Sequence, residues 1–422
     1  MCMPASSPFP IFRGFDASEA VSILKPSDAK QTAEAIAWAA AEGGSLEIVA
    51  GGTKRALGRP MKTDHVLDVS QLKGIVAYEP AELVLTARPG EPLASIKAML
   101  AKSRQMLAFE PPDWRALLGA EGAETLGGVI ACNLAGSRRV RSGSARDYVL
   151  GFSAVNGFGD IWKAGGKVVK NVTGYDMCKL QAGAYGTLSA LTELTLKVMP
   201  KPETAWTIVL HGLADEVAIE TLAQALNSPF EVSGAAHLPP STARRSKIGA
   251  VGAATALRLE GPLPSVAYRA DALEALIGRG ARLDETETEA FWQEVGAVQP
   301  LLEPGSRIVW RLCPTPSYAP AVAHSILEAA PSAEFYFDWG GGLIWLSLDA
   351  SEAGADAGAG VVRPAVESAG GHATLIVAPD AVRASTPVFE PQSAALAELN
   401  ARVKNGFDPR GILNPGRMYE GR

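Results

Sequence analysis

Apolar residues recur along the chain with two spacings, one typical of helices and one typical of strands, which predicts an α+β fold. Near the start, we predict a helix that Ser27 caps, that runs to Glu42 and that Gly43 ends. Its predicted apolar face consists of Ala29, Ala33, Ile36, Ala37 and Ala40. The other elements predicted up to residue 100 are strands at 21–25, 46–49, 65–68, 75–78 and 83–88 and a helix that Pro92 begins.

A second subdomain is predicted to begin after Pro111-Pro112, in a segment rich in glycine. Its predicted strands are 148–156, 160–164, 167–170 and 188–198. The first two flank Gly157-Phe158-Gly159, which is typical of a hairpin, and the last ends before Pro200.

Between residues 203 and 378 the order of predicted elements repeats. Each set runs strand, helix, strand, strand, helix, strand, which matches a ferredoxin-like β-α-β-β-α-β unit. The first set is predicted at 207–211, 216–226, 230–236, 254–260, 266–277 and 281–284, and the second at 307–312, 318–329, 334–338, 343–348, 360–368 and 373–377. Helical spacing is clearest at Ile219, Leu222 and Leu226. This region is therefore predicted to be a separate α+β domain.

Composition excludes several classes of protein. A net charge of −6 without a run of Lys or Arg argues against nucleic-acid binding. The four cysteines show no C-x-x-C spacing, so no zinc or iron–sulfur motif is recognisable and a reducing compartment is favoured. No segment resembles a signal peptide or reaches the roughly 18 apolar residues of a membrane helix. We expect a cytoplasmic protein that meets the inner face of the cytoplasmic membrane only peripherally, through partners.

Two glycine-rich loops stand out in the N-terminal half. Ala50-Gly51-Gly52-Thr53-Lys54 follows the strand at 46–49, and Thr125-Leu126-Gly127-Gly128 precedes an apolar run. Glycine permits φ > 0, so successive N–H groups can converge on an anion, and the second loop also suits a helix N-terminus. Each loop alone is more often a tight turn. Two sets of donors, however, suit a diphosphate, and no G-x-G-x-x-G or P-loop motif is present. A dinucleotide cofactor bound outside a Rossmann fold is predicted.

Several short motifs occur in a specific order: AGGTK, PPD, TLGG, NLAGSRR, RDYV, KNVTGYDMCKL, AGAYGTLSALTEL and FDPRGILNPGRM. Their order resembles the vanillyl-alcohol-oxidase type of FAD-binding domain and, within it, the FAD-binding E subunits of bacterial glycolate oxidase (glycolate dehydrogenase). The resemblance implies a two-subdomain FAD-binding domain at 17–200, an inserted α+β cap domain at 201–384 and a segment at 385–422 that returns to the FAD domain near the flavin ring.

The resemblance also implies which residues bind FAD, with the two loops holding its diphosphate. The predicted cofactor-binding residues are Ala50, Gly51, Gly52, Thr53, Lys54, Pro112, Asp113, Thr125, Leu126, Gly127, Gly128, Asn133, Gly136, Ser137, Gly143, Val149, Gly183, Gly186, Leu188 and Asn414. Non-covalent FAD is expected, because the first loop has no histidine beside it and Cys132 has the character of a small buried residue. No catalytic residue is assigned.

The five histidines are scattered, and residues 203–378 lack the G-H-x-G-D-G-N-x-H metal motif of catalytic D-2-hydroxyacid dehydrogenases in this superfamily. No metal site is predicted, and a substrate site of the chain's own is in doubt. The chain also has no iron–sulfur or haem motif to carry electrons away from a flavin. The resemblance implies two partners, a second flavoprotein subunit and an iron–sulfur subunit, which pass electrons towards quinone.

The predicted function is that of the FAD-binding subunit of a glycolate oxidase complex, which oxidises the small 2-hydroxy acid glycolate to glyoxylate. Two alternatives stay open. One is a self-sufficient FAD-dependent oxidoreductase of another 2-hydroxy acid or an alcohol. The other is a non-catalytic structural subunit of such a complex.

Overall fold

The structure, a computed structural model, describes residues 22–166, 174–302 and 307–421. In these ranges the strands form four sheets of three, five, two and eight strands. No helix within them combines the length and the apolar character needed to cross a membrane. The predicted strand at 167–170 lies outside the described residues.

The chain begins with a parallel three-stranded sheet. Its elements are β1 (Ser22–Leu24), α1 (Ala29–Glu42), β2 (Leu46–Val49) and β3 (His65–Asp68), with the strands in the order β1-β3-β2. Asp28, rather than the predicted Ser27, caps α1, because its carboxylate accepts the Gln31 N–H at 2.8 Å. Gly43 ends the helix with φ 73°, as predicted.

The buried face of α1 differs from the predicted one. It consists of Thr32, Ala35, Ile36, Ala39 and Ala40. Ala37, which was predicted to face inward, is exposed. The many alanines of this helix allow two apolar stripes, and the position of the sheet decides which of them is buried.

An antiparallel five-stranded sheet forms the second subdomain. Its strands, in the order β4-β5-β9-β7-β8, are β4 (Ile75–Glu79), β5 (Val84–Ala87), β7 (Val149–Asn156), β8 (Ile161–Gly165) and β9 (Ser189–Lys197), while β6 (Gln105–Met106) pairs with β10 (Met199–Pro200). The helices around it are α2 (Leu93–Lys102), α3 (Arg115–Leu118), α4 (Leu126–Ala131), α5 (Arg139–Ser142) and α6 (Met177–Gln181). The predicted hairpin is confirmed, since β7 and β8 pair directly across Gly157-Phe158-Gly159.

An eight-stranded antiparallel sheet with its helices, residues 204–377, forms the unit that we call the cap. Its first half comprises β11 (Thr204–His211), α7 (Asp215–Leu226), β12 (Gly234–Leu238), α8 (Pro240–Arg245), β13 (Ala254–Gly261), α9 (Leu263–Ile277), β14 (Ala281–Leu283) and α10 (Glu285–Gly296). Its second half comprises β15 (Arg307–Cys313), α11 (Ala319–Ala329), β16 (Glu334–Asp338), β17 (Leu343–Asp349), α12 (Ala350–Ala353), α13 (Ala359–Ser368) and β18 (His372–Val377).

The strand order of the cap, β14-β11-β13-β12-β16-β17-β15-β18, is two ferredoxin-like units joined at their second strands. The junction is a single pair, His237 opposite Phe337. The predicted repeat is therefore confirmed. The helices α8 and α10 were not predicted: α8 lies between β12 and β13, and α10 follows β14, the last strand of the first unit.

The two faces of the cap sheet pack against different partners. Ile308, Trp310 and Leu312 of β15 lie in a buried cluster with the helices α7, α9, α11 and α13. Val309, whose side chain points to the opposite face, belongs instead to the cluster that contains the second subdomain. The aromatic rings of Trp114 and Trp345 meet edge to face across this contact, with centroids 5.4 Å apart. One sheet thus carries its own helices on one side and contacts the second subdomain on the other.

After the cap, α14 (Asp380–Ser385) and α15 (Ala394–Phe407) lead into a tail that contacts the parallel sheet. The Leu46 N–H donates to the Ile412 carbonyl at 2.7 Å, and the Asn414 N–H donates to the Leu46 carbonyl at 2.9 Å. The buried ammonium of Lys404 holds the turn by donating to Asp408 at 2.5 Å and to the Leu413 carbonyl at 3.0 Å. The tail therefore pairs alongside β2, the strand that leads into the first glycine loop. The predicted domain boundaries at 200 and 384 stay predictions.

Candidate cofactor site

A cleft lies where both glycine loops meet the C-terminal tail. The predicted residues that line it are Ala50, Gly51, Gly52, Thr53, Lys54, Thr125, Gly127, Gly128, Gly186 and Asn414. They come from four segments far apart in sequence. The structure therefore brings the two predicted loops to a single site.

Other predicted residues do not lie on the wall of this cleft: Pro112, Asp113, Leu126, Asn133, Gly136, Ser137, Gly143, Val149, Gly183 and Leu188. Several have structural contacts instead. Asp113 pairs with Arg115 at 2.6 Å, and the Asn133 side chain accepts the Arg146 N–H at 2.9 Å. Ser137 donates to Asp338 of the cap at 2.7 Å. Their assignment to FAD stays a prediction.

The first loop, Ala50–Lys54, presents free donors to the cleft. The N–H groups of Gly51, Gly52, Thr53 and Lys54 donate to no acceptor in the part of the chain that the structure describes. Gly52 has φ 73°, which favours glycine. Gly51 has no room for a side chain, because a Cβ there would lie 1.8 Å from the Ala123 carbonyl oxygen. Buried N–H groups need acceptors, so four unpaired ones at a cleft favour an anion.

The second loop, Thr125–Gly128, is used differently, which corrects the prediction that its N–H groups form a second phosphate cradle. Leu126 donates to the Glu91 carbonyl at 3.0 Å and Gly127 to the Pro89 carbonyl at 2.7 Å. Gly128 donates to its own helix cap, the Thr125 hydroxyl, at 3.4 Å. These donors are already occupied. Of the four N–H groups of this loop, that of Thr125 alone has no acceptor among the described residues, so the loop contributes mainly to the wall of the cleft.

Lys54 does not supply a free positive charge to the cleft. Its ammonium pairs with Glu124 at 2.6 Å, and the two side chains are only 8% and 10% exposed. The pair links the first loop to the residue that precedes the second. Lys54 thus holds the two loops together, and the anion-binding character of the site comes from backbone N–H groups.

Arg417, which sequence reasoning missed, supplies the uncompensated charge. It lines the cleft, is 5% exposed and forms no ion pair with any described residue. One guanidinium nitrogen donates to the Lys54 carbonyl at 2.7 Å, while Nε has no acceptor in the described ranges. Burial lowers the pKa of Arg417, and the nearby Cys132 acts against that shift. The Glu47 carboxylate, which is paired with Arg55, also acts against the shift but forms no ion pair with Arg417. A buried guanidinium without an ion pair favours an anionic ligand. The only signal in the sequence is an arginine within the turn-rich tail.

Asn414 connects the tail to the opposite wall. Its amide accepts the Ile48 N–H at 2.8 Å and donates to the Tyr185 carbonyl at 2.6 Å. This bridge holds Tyr185 at the cleft with φ 53°, an uncommon conformation for an aromatic residue. Burial, and then Cys132, raise the pKa of the Tyr185 hydroxyl, so Tyr185 is a neutral hydrogen-bonding group at neutral pH.

Residues 21–165 match the family model described as the FAD binding domain. The chain is 37% identical over 376 residues to the glycolate oxidase subunit GlcE of Escherichia coli (strain K12), across 89% of this chain and 92% of that protein. It is 31% identical over 244 residues to the glycolate oxidase subunit GlcD of Bacillus subtilis (strain 168), across 55% and 50% of the two chains. The solved structure of p-cresol methylhydroxylase with substrate bound shares the fold, with a TM-score of 0.68 at 14% identity over 96% of this chain and 90% of that one.

The fold, the cleft and these matches define the class of the protein as an FAD-dependent oxidoreductase. The open amides of the first loop and the unpaired Arg417 fit the diphosphate of that cofactor. With similarity across nearly the whole length of both chains, the protein belongs to the family of the glycolate oxidase subunit GlcE. The predicted family and cofactor are confirmed.

Proposed function

We propose that this chain is the FAD-binding subunit of a glycolate oxidase complex and takes part in the oxidation of glycolate to glyoxylate. Bound FAD supplies the two-electron chemistry, in which the substrate loses the hydrogen on its α-carbon and the proton of its hydroxyl. The chain positions the cofactor. The support is its family membership together with a cleft whose open donors match a diphosphate.

The main observation behind this proposal is that one wall of the cleft carries N–H donors without acceptors and a buried guanidinium without an ion pair. Four N–H groups of the first loop and the Nε of the buried Arg417 lack acceptors among the described residues, although buried donors are almost always paired. A diphosphate would supply acceptors and negative charge at once. We place the FAD diphosphate against the first loop and Arg417, while the second loop packs behind it.

We propose that the cofactor is held without a covalent bond. Covalent attachment needs an activated nucleophile, and Cys132 is the cysteine that lines the cleft. Burial raises the pKa of the Cys132 thiol, so its reactive thiolate form is disfavoured. Acid denaturation followed by filtration is expected to release all of the flavin.

We propose that electrons leave through partner subunits, a second flavoprotein and an iron–sulfur protein, towards an acceptor such as quinone. The relatives named above are themselves subunits of glycolate oxidases. Such a complex would place this chain in the cytoplasm, at the inner face of the membrane through its partners. Co-purification of a tagged chain from its native host tests the partners directly.

Replacing Arg417 with Met tests the proposed diphosphate site. The variant is expected to raise the dissociation constant of FAD at least about ten-fold, because a charge-assisted hydrogen bond is lost. The free energy of unfolding of the apoprotein should fall by about 1–3 kcal/mol, since the hydrogen bond to the Lys54 carbonyl is lost but no ion pair is broken. FAD affinity is measured by fluorescence titration, and stability by urea unfolding.

Arg410→Met is the matched control. Arg410 lies in the same tail but donates to the Ala40 carbonyl and does not line the cleft. Its FAD affinity should stay at the wild-type value. Equal affinity in the Arg417→Met variant and the wild type would place the diphosphate elsewhere.

Expressing the chain alone separates the proposal from its two alternatives. A yellow protein that glycolate bleaches only after the partner subunits are added supports the proposal. A yellow protein that glycolate or D-lactate bleaches unaided supports a self-sufficient oxidoreductase. A colourless protein whose complex is active supports a structural subunit.

A further inference from the structure

Two arginines from different parts of the chain share one tryptophan at the contact between the cap and the second subdomain. Arg139 belongs to α5, and Arg311 belongs to β15 of the cap. Their guanidinium carbons lie 4.8 Å and 5.0 Å from the ring centroid of Trp339. Since both distances refer to the same ring, the two positive charges are about 10 Å apart or less, close enough to repel each other.

Neither guanidinium forms an ion pair in the ranges that the structure describes, although Arg139 is exposed and the charges of Cys313 and Asp147 act on it. No ion pair or side-chain hydrogen bond of Arg139 or Arg311 involves a described residue, whereas the neighbours of Arg139 are paired. Arg138 pairs with Glu260, and Arg141 pairs with Glu231 at 2.5 Å.

The backbone that carries Trp339 is held in an uncommon conformation. Trp339 has φ 54°, which a bulky side chain rarely adopts. The Asp338 carboxylate accepts its N–H at 2.7 Å, and its indole N–H donates to the Gly136 carbonyl of the second subdomain at 3.1 Å. Held strain of this kind concentrates at ligand sites. Trp339 thus fixes the two arginines relative to each other and to the second subdomain.

The arginine pair adjoins the candidate FAD cleft through Tyr185, which lines that cleft. Arg311 lies two residues from Val309 on β15, so its side chain points to the same face of the cap sheet, the face that packs on the second subdomain. In agreement with this position, the charge of Arg311 acts against the burial that raises the pKa of the Tyr185 hydroxyl. Burial and the charge of Arg311 both lower the pKa of Arg139. An anion between the two guanidinium groups would relieve this repulsion beside the flavin cleft.

We propose that Arg139 and Arg311 bind the carboxylate of a small 2-hydroxy acid at the edge of the FAD cleft. Guanidinium groups match carboxylates through paired N–H donors, and two of them can hold one small anion from two sides. The identity of the acid rests on the proposed function, but the carboxylate site itself does not. The cap then supplies one half of a substrate site and α5 the other, which explains why no compact motif marks it.

Calorimetric titration with oxalate, a small unreactive dicarboxylate, tests this site in the purified chain. The Arg139→Leu and Arg311→Leu variants are each expected to raise the dissociation constant of oxalate at least about ten-fold relative to wild type. Arg139→Lys and Arg311→Lys should keep part of the affinity because they retain the charge. Glycolamide, which has glycolate's shape without its charge, should bind far more weakly than glycolate.

Arg146→Leu is the matched control, because Arg146 is exposed and close in sequence but does not stack on Trp339. Its oxalate affinity should stay within about three-fold of wild type, since its exposed charge is screened by salt and does not lie on Trp339. Wild-type chain that binds no oxalate, or leucine variants that bind it as well as wild type, would overturn the site.

Flavin content, read from visible absorbance, separates this inference from the proposed function. Leucine variants that keep FAD and lose oxalate binding support both. Wild-type chain that binds oxalate through the two arginines but holds no FAD contradicts the proposed function while it supports the carboxylate site.

Discussion

The two glycine loops of the candidate FAD site are similar in sequence, but their N–H groups differ in whether they are hydrogen-bonded in the fold. In the first, Ala50–Lys54, four successive N–H groups face a cleft without acceptors among the described residues. In the second, Thr125–Gly128, the N–H groups of Leu126 and Gly127 are bonded to the carbonyls of Glu91 and Pro89. The first loop is open to a ligand, and the second is closed onto its own subdomain.

This difference shows that a glycine pair in the sequence can indicate a crowded backbone position, but it does not indicate which group crowds it. Gly51 has no room for a Cβ because of the Ala123 carbonyl, and Gly127 has none because of Pro89, whose Cβ would lie 2.6 Å away. The sequence alone does not distinguish these two crowded positions. Only the hydrogen bonds of the neighbouring N–H groups distinguish a binding loop from a packing loop.

The largest expected effect comes from Lys54→Glu, which breaks the link between the loops. The variant places a second carboxylate against Glu124 at a nearly buried position and is expected to lower the free energy of unfolding by about 3–5 kcal/mol. FAD retention should fall with it. Urea unfolding of the apoprotein and the flavin content after gel filtration measure the two effects.

The exchange variant Lys54→Glu/Glu124→Lys restores a pair of opposite charges at the same place. It is expected to recover most of the lost stability. A single variant as stable as wild type would mean that the ion pair does not join the loops.

A smaller effect on stability, but a large one on binding, is expected for Thr53→Asp in the open loop. The added carboxylate can accept the free N–H groups and repels a diphosphate, so the dissociation constant of FAD should rise at least about 100-fold. Thr125→Asp in the closed loop is the matched control, because Asp is as good a helix cap as Thr. Its effect should be clearly smaller than that of Thr53→Asp, because the carboxylate would accept the Gly128 N–H of its own helix. Equal losses in the two variants would contradict the distinction between the loops.

The smallest effect is expected for Gly127→Ala in the closed loop. Its Cβ would press on Pro89, so the free energy of unfolding should fall by about 1–3 kcal/mol while FAD affinity of the folded protein stays close to wild type. Gly128→Ala is the control, since its Cβ would meet nothing closer than 3.4 Å. That change should be neutral or stabilise α4 by up to about 1 kcal/mol. Urea unfolding measures both variants. An equal loss of stability in the two would contradict the close packing of Gly127 against Pro89.

Much of the fold was predictable because the elements are strongly periodic. The two β-α-β-β-α-β sets of the cap appear in the predicted order, and β16 has the predicted bounds Glu334–Asp338. Errors arose where several local signals competed. Ser27 and Asp28 are both good helix caps, and the alanine-rich α1 has more than one apolar stripe. Helix α10 was missed because its mostly polar sequence shows weak periodicity, although Phe291 and Trp292 are buried.

The candidate site was predicted in part. The first loop, the second loop and Asn414 do line one cleft. Arg417 was missed because nothing in a turn-rich tail shows that an arginine will be buried without a carboxylate. The pair Arg139 and Arg311 was missed because its members are far apart in sequence and meet on Trp339 only after the cap has packed against α5.

The sequence by itself determined the class of elements, the repeat in the cap, the two glycine loops and the resemblance to FAD-binding subunits, because periodicity and short motifs are local properties of the chain. Only the tertiary structure decided which loop keeps its N–H groups free and which cations lack a carboxylate. Those properties depend on acceptors and charges supplied by distant segments, and the sequence alone does not show which of these come together.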